Sequence, residues 1–272
     1  MISRQSWLDD VERAELIELL IRSGLLKWDN SRGLTLASGG TTDIYLNLRA
    51  ARSNPRVLAH LVRLFEGPLR RLGVNRFAEV PDSVSCLAGP LAINLGLPYV
   101  TVRDRPKEGR VSKAAMIGEV IRGESIALID DVITDGASKL GPYQTLVGEG
   151  AKPTLVVLVD RQQGWQQMFA REGVQMPLWP GMTLHNIRRF LIESGAMKRC
   201  DGSTEKENQI IIALDGKSWE EILPLIDPLR PWGCILKVND LLFGEGIDRL
   251  LPDLAVYGRV MADLKSHDIP NT

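Results

Sequence analysis

Four short, apolar-rich stretches punctuate the chain: SIALID (125–130), TLVVLV (154–159), QIIIAL (209–214) and CILKV (234–238). None alternates apolar with polar residues as a strand with one wet face does. Each is therefore predicted as a strand buried on both faces of a parallel sheet. The spacers between them are long enough for crossover helices, so the class is α/β. Near the N-terminus, Trp7, Val11, Ala14, Ile17, Leu20 and Ile21 fall near one face of a helix over 7–26, with Ser6 as its N-cap. A second helical pattern runs from Pro55 to Leu72, and Gly73 stops it. KRCDGSTEKENQ (198–209) is polar and charged with Gly and Ser, the composition of an exposed linker. The strand-like IIIALD after it begins a new segment.

Composition narrows the class. With 272 residues, the chain is long for one domain and short for two large ones. Its 44% hydrophobic and 25% charged residues are ordinary for a globular protein. A net charge of −1 supplies no global basic field for nucleic acid or an acidic membrane. No apolar run approaches the roughly 18 residues of a spanning helix, and the acid-rich N-terminus lacks the apolar core of a signal peptide. Cys86, Cys200 and Cys234 are odd in number and far apart, which argues against a disulfide framework or a zinc knuckle. The expected location is the cytoplasm.

The strongest local signal is IALIDDVITDGAS (126–138). An apolar strand delivers Asp130 and Asp131 at its C-terminal end, where open α/β sheets bind ligands. A turn with Thr134, Asp135, Gly136, Ala137 and Ser138 leads into a helix-compatible stretch. Backbone N–H groups and two hydroxyls there suit a phosphate, and the acids suit the vicinal hydroxyls of a sugar or a magnesium ion. A plain capped strand–turn–helix is the alternative. VRDRPKEGRVSK (102–113) adds Arg103, Arg105, Lys107, Arg110 and Lys113, cations that would meet charge developing on a leaving pyrophosphate, or form only a solvated basic loop.

The first of these stretches resembles the phosphoribosyl pyrophosphate (PRPP) motif of type I phosphoribosyltransferases: apolar strand, paired acids, Thr-x-Gly-x-Ser. LTLASGGTTDIYLNLR (34–49), EVPDSVSCLAGPLAINLGLPYVTVR (79–103) and VVLVDRQQG (156–164) resemble orotate phosphoribosyltransferases, with departures at Ala37, Glu79, Asp104 and Gly109. The resemblance implies a parallel sheet flanked by helices with a small N-terminal hood, in a domain over 1–197. It assigns Asp130 and Asp131 to the ribose, 134–138 to the 5′-phosphate, and Arg161 to orotate. Arg103, Lys107 and Lys113 fall to the catalytic loop. It further implies orotate and PRPP as substrates, Mg2+ as cofactor, and a homodimer. A transferase for another base and a catalytically silent nucleotide-binding regulator stand as alternatives.

After the linker (198–208), the order is strand, helix, strand, helix, strand. Asp215 ends the first strand, Lys237 lies in the second, and Asp263 and Lys265 are placed two apart on one face of the third. Asp268 follows. This alternating array at strand ends is where (β/α)8 barrels place their chemistry. The stretch resembles orotidine 5′-monophosphate decarboxylase, most specifically in DLKSHDIPNT (263–272). The resemblance assigns Asp215 and Lys237 to ribose contacts and Asp263, Lys265 and Asp268 to the charge array. Asp268 and Thr272 would reach a partner subunit's site. Residues 209–272 are thus expected to be a truncated N-terminal segment of the barrel that does not decarboxylate alone. The two resemblances in this order are those of a uridine 5′-monophosphate (UMP) synthase type of fusion.

Overall fold

The computed structural model describes residues 6–29, 34–35, 41–80, 83–103, 116–197, 210–232, 234–239, 241 and 245–263. They divide into two compact units. The first takes its residues from 1–27, 45–161 and 165–184, the second from 28–44, 162–164 and 185–272.

In the first unit, α1 spans Asp10–Arg22 rather than 7–26, and its N-cap is Asp9 rather than Ser6. Asp9 accepts from the Glu12 N–H at 2.8 Å, and Glu12 accepts from the Asp9 N–H at 3.0 Å. Ser6 lies three residues before the cap, where its hydroxyl accepts from the Leu8 N–H at 3.2 Å and donates to the Gly181 carbonyl, so it is engaged outside this capping box. Trp7 therefore precedes the helix, buried, with its indole N–H on the Val157 carbonyl at 3.2 Å. Four short strands follow along the chain: β1 (Leu26–Trp28), β2 (Leu34–Thr35), β3 (Thr41–Thr42) and β4 (Ile44–Leu46), of which β2 and β3 belong to the second unit and β1 and β4 fall at the division. Helix α2 covers Pro55–Leu72 as the pattern predicts; Asn54 caps it, and Gly73 ends it with φ +58°.

The remaining elements of this unit are β5 (Arg76–Glu79), α3 (Ser85–Leu95), β6 (Tyr99–Val102), β7 (Met116–Ile117), β8 (Ser125–Ile133), α4 (Leu140–Gly148), β9 (Lys152–Asp160), α5 (Trp165–Arg171) and β10 (Leu178–Thr183). They build a six-stranded sheet in the order β10-β9-β8-β5-β6-β7. The sheet is mixed rather than purely parallel, because β7 runs back along β6 with Val102 opposite Met116. The runs at 125–130 and 154–159 lie within β8 and β9, central and buried as expected. Ile126, Leu128, Leu155 and Val157 are sealed in one apolar cluster with Trp165 and Phe169. Burying such side chains contributes on the order of 1.5–3 kcal/mol each.

The second unit contains α6 (Leu184–Glu193, from His185 onward), β11 (Ile211–Ala213), α7 (Trp219–Ile226), β12 (Ile235–Val238), α8 (Ile247–Leu254) and β13 (Arg259–Ala262). Its strands pair in parallel in the order β11-β12-β13. Burial on both faces is not observed in this sheet: Ile211 is 51% exposed, and along the central strand β12 buried Leu236 and Val238 alternate with half-buried Ile235 and Lys237, the pattern of a strand covered on one face. Asp263 lies just beyond β13 rather than within it, because the ladder ends at Ala262 opposite Val238. No described helix is long and apolar enough to cross a membrane.

A buried ionic cluster organises this unit. Arg188 of α6, 1% exposed, donates to both oxygens of Asp43 at 3.1 and 2.9 Å and lies 2.6 Å from Asp227. Arg230 reaches the same Asp43 at 2.9 Å and the Val256 carbonyl at 3.0 Å. Tyr257 stands 5.0 Å under the Arg188 guanidinium, and its ring stacks on His185. His185 also contacts Asp253 at 3.0 Å. Burial alone raises the Asp43 carboxyl, but Arg188 and Arg230 together hold it below the usual carboxylate range. Residues on both sides of the 198–208 stretch thus share one electrostatic core.

Candidate active site

The site in the first unit begins at the end of β8. Asp130 is 2% exposed. Its Oδ1 accepts from the Asp131 N–H at 2.8 Å, and its Oδ2 accepts from the ammonium of Lys139. Asp131 accepts from the Val132 N–H at 2.7 Å. It borders a pocket lined by Leu48, Phe65, Val84, Cys86 and Leu158. Removal from water pushes the Asp131 carboxyl up to about 7, and the neighbouring charge of Asp130 adds to the rise. Burial likewise pushes the Cys86 thiol up.

The chain then turns. Thr134, Asp135, Ala137 and Ser138 are exposed, and Gly136 is buried beneath them with φ +83°. A Cβ on Gly136 would come within 2.8 Å of Met168 Cε and Phe169 Cε1. Glycine is thus required both by the left-handed backbone and by the close approach of α5. Asp135 accepts from the Ala137 N–H at 3.1 Å, so one backbone donor that the sequence offers to phosphate is held by a side chain here. The turn closes with the Lys139 N–H on the Gly136 carbonyl at 2.9 Å and passes into α4.

Arg161 follows β9, and its N–H meets the Ile133 carbonyl at 2.9 Å, which sets it beside the end of β8. Arg103 follows β6 and is half-buried. Lys107 and Lys113 lie outside the described residues. In the second unit, Lys237 stands between Asp263 at 3.1 Å and Asp215 at 3.5 Å. The hydrogen bond to Asp263, then the charge of Asp215, raise its amine above the ordinary lysine value. Lys265, Asp268 and Thr272 lie outside the described residues.

Sequence reasoning gave no role to two buried charged residues. Lys139 gave no signal, because a lysine nine residues past an acid matches no regular spacing. Glu79, 4% exposed at the end of β5, accepts from Ser85 at 2.7 Å and Thr101 at 2.5 Å. Hydroxyls on two other elements satisfy it, one of them 22 residues further along the chain. Among the described residues, no group of three or more His, Cys, Asp or Glu side chains is arranged to hold a metal ion.

The raised Asp131 carboxyl has a consequence for stability. Its folded-state value lies above the unfolded one, so the folded protein binds the extra proton between about pH 4 and 7. Stability falls as pH rises through that window, and the full cost is present above pH 7. Asp131→Asn is expected to be more stable than wild type at pH 8, by up to about 4 kcal/mol, with the difference shrinking toward pH 4. Urea denaturation at the two pH values checks this. A variant less stable than wild type at pH 8 contradicts the assignment.

No protein-family model matches the chain. An orotate phosphoribosyltransferase from Methanopyrus kandleri is 31% identical over 177 residues, covering 61% of this chain and 87% of that protein. One from Thermoplasma volcanium is 28% identical, covering 64% of this chain and 99% of the relative. Among solved structures, a UMP synthase from Leishmania donovani superposes with a TM-score of 0.55 at 27% identity. That match takes in 67% of this chain but only 39% of the synthase. An orotate phosphoribosyltransferase from Aeropyrum pernix, at TM-score 0.51 and 24% identity, shares the fold over 66% of this chain and 99% of its own. With the paired acids and the glycine turn in place at the end of β8, and the Methanopyrus relative matched over most of its length, the chain belongs to the orotate phosphoribosyltransferase family.

Proposed function

We propose that the protein transfers the phosphoribosyl group of PRPP to orotate, giving orotidine 5′-monophosphate and pyrophosphate in pyrimidine biosynthesis. The observation that carries this reading is the pairing of buried Asp130 and half-buried Asp131 with the 134–138 turn, whose Thr134 and Ser138 are exposed, toward the end of one strand. The turn suits the 5′-phosphate, and Asp131 suits the ribose hydroxyls. A ring nitrogen of orotate forms the new bond to the anomeric carbon as the carbon–oxygen bond to pyrophosphate breaks. The sugar carries positive charge in between, and the half-buried acid beside it stabilises that charge. Arg161 is assigned to the orotate carboxylate, since a guanidinium matches a carboxylate with two donors. Arg103, Lys107 and Lys113 are assigned to the departing pyrophosphate, in a homodimer.

Magnesium is expected to arrive on the pyrophosphate of PRPP. Asp130 does not fit a resident metal site, because Lys139 and the Asp131 N–H already engage both of its oxygens. Residues 209–272 are proposed to derive from a decarboxylase, with Lys237 between Asp215 and Asp263 as the supporting feature. The whole would be a fusion of the UMP synthase type.

Base selectivity tests the reading. The purified chain, given PRPP and magnesium, is expected to release pyrophosphate with orotate and not with uracil or hypoxanthine. Release with a neutral base in preference to orotate would favour a different transferase.

A further inference from the structure

We propose that Lys139 is a built-in counter-cation and clasp: its buried ammonium holds Asp130 where a divalent cation would otherwise sit, and ties the phosphate turn shut. The proposal rests on the transferase reading of this site. Its physical basis is independent of the base used.

Lys139 is 5% exposed, and its ammonium donates to Asp130, itself 2% exposed. A lysine is almost never buried to this degree without a partner. The pair joins the end of β8 to the residue that closes the turn. It encloses Thr134, Asp135, Gly136, Ala137 and Ser138, the groups assigned to the 5′-phosphate. A second fastening, the Lys139 N–H on the Gly136 carbonyl, acts on the same turn. The ends of the loop are therefore held by one ionic and one backbone contact. Asp130 keeps no unengaged oxygen in this arrangement. Of the two acids, Asp131 is the one left to face a ligand, and its pocket-side position agrees with that role. Two adjacent carboxylates would ordinarily invite a hard cation such as magnesium. Here the positive charge is supplied by the chain itself, so the site needs no metal before PRPP arrives. Lys139 is thus a positioning residue, acting on substrate through Asp130 and the turn.

Mn2+ binding tests this directly, with Mn2+ standing in for magnesium and read by electron paramagnetic resonance on the full chain without PRPP. Wild type is expected to take up no Mn2+ at the acid pair. Lys139→Met is expected to gain a Mn2+ site that Asp130→Asn, added to it, removes. The same variant is expected to raise KM for PRPP about 10- to 100-fold, as a loosened turn misplaces the phosphate, with a much smaller change in KM for orotate. Lys139→Arg, which keeps the charge, is expected to recover part of the loss. Stoichiometric Mn2+ binding to wild type that Asp130→Asn abolishes would overturn the proposal, even if no Lys139 variant folds. An equal rise in both KM values would also overturn it, by reducing Lys139 to a structural residue. Failure of the transferase reading would appear separately, as absence of orotate-dependent turnover in wild type whose acid pair binds no Mn2+.

Discussion

Replacing Arg188 with methionine is expected to destabilise the second unit by about 3–5 kcal/mol, the cost of breaking a buried ion pair from one side. The guanidinium contacts Asp43 and Asp227 together, at distances of 2.6 to 3.1 Å. Its removal leaves Asp227 without that cation and Asp43 with Arg230 alone. Methionine fills much of the space but carries no charge, so packing loss is small and electrostatic loss dominates. Burial weakens a cation, yet Asp227, Tyr257 and Asp43 together raise the Arg188 group above the ordinary arginine value. That direction is what a net favourable cluster requires. Denaturation in urea, followed by a probe in the second unit, measures the change. A difference under about 1 kcal/mol would mean that the cluster is no better than a solvated surface pair. Arg188→Lys should recover only part of the stability, because an ammonium cannot donate bidentately to Asp43 while reaching Asp227.

Gly136→Val is expected to abolish PRPP binding and to lower stability by at least about 2 kcal/mol. Two costs combine. A non-glycine residue at φ +83° is strained by roughly 1–2 kcal/mol, more when β-branched. Its Cβ would also meet Met168 and Phe169 at 2.8 Å, and overpacking a tight contact costs about 1–3 kcal/mol. Opening the turn relieves both, and it would displace the Thr134 and Ser138 hydroxyls proposed to hold the phosphate. Titration calorimetry with PRPP and thermal unfolding of the same sample give the two readouts. Normal PRPP affinity in the variant would show that the turn does not hold the phosphate. Ser138→Ala makes a useful contrast: it removes one exposed hydroxyl and leaves the backbone alone, so stability should hardly change.

The parts of this fold that periodicity encodes were legible. The runs at 125–130 and 154–159 become the central strands β8 and β9, because a strand covered on both faces has no polar positions to interrupt it. Helix α2 was legible at both ends, since Pro55 and Gly73 act through local backbone geometry. The acid pair and glycine turn were legible for the same reason: their chemistry lies within a few consecutive residues. What depended on distant partners was not. Ser6 is a good capping residue by type, but the Gly181 carbonyl claims its hydroxyl. Lys139 reads as an ordinary surface lysine until the turn folds it onto Asp130. The Asp43, Arg188 and Arg230 cluster draws on three remote segments, and no pattern in any one of them announces it. The 198–208 stretch separates two segments by composition, yet residues on both sides of it meet in that cluster.

The identity of the product decides whether this site transfers a phosphoribosyl group. Isotopically labelled orotate, incubated with the purified full chain, PRPP and magnesium, is expected to appear in orotidine 5′-monophosphate, with one pyrophosphate released per label transferred. Asp131→Asn should suppress both together. Labelled orotate left unchanged, in a protein that binds PRPP and is folded, would contradict the assignment of this site to phosphoribosyl transfer.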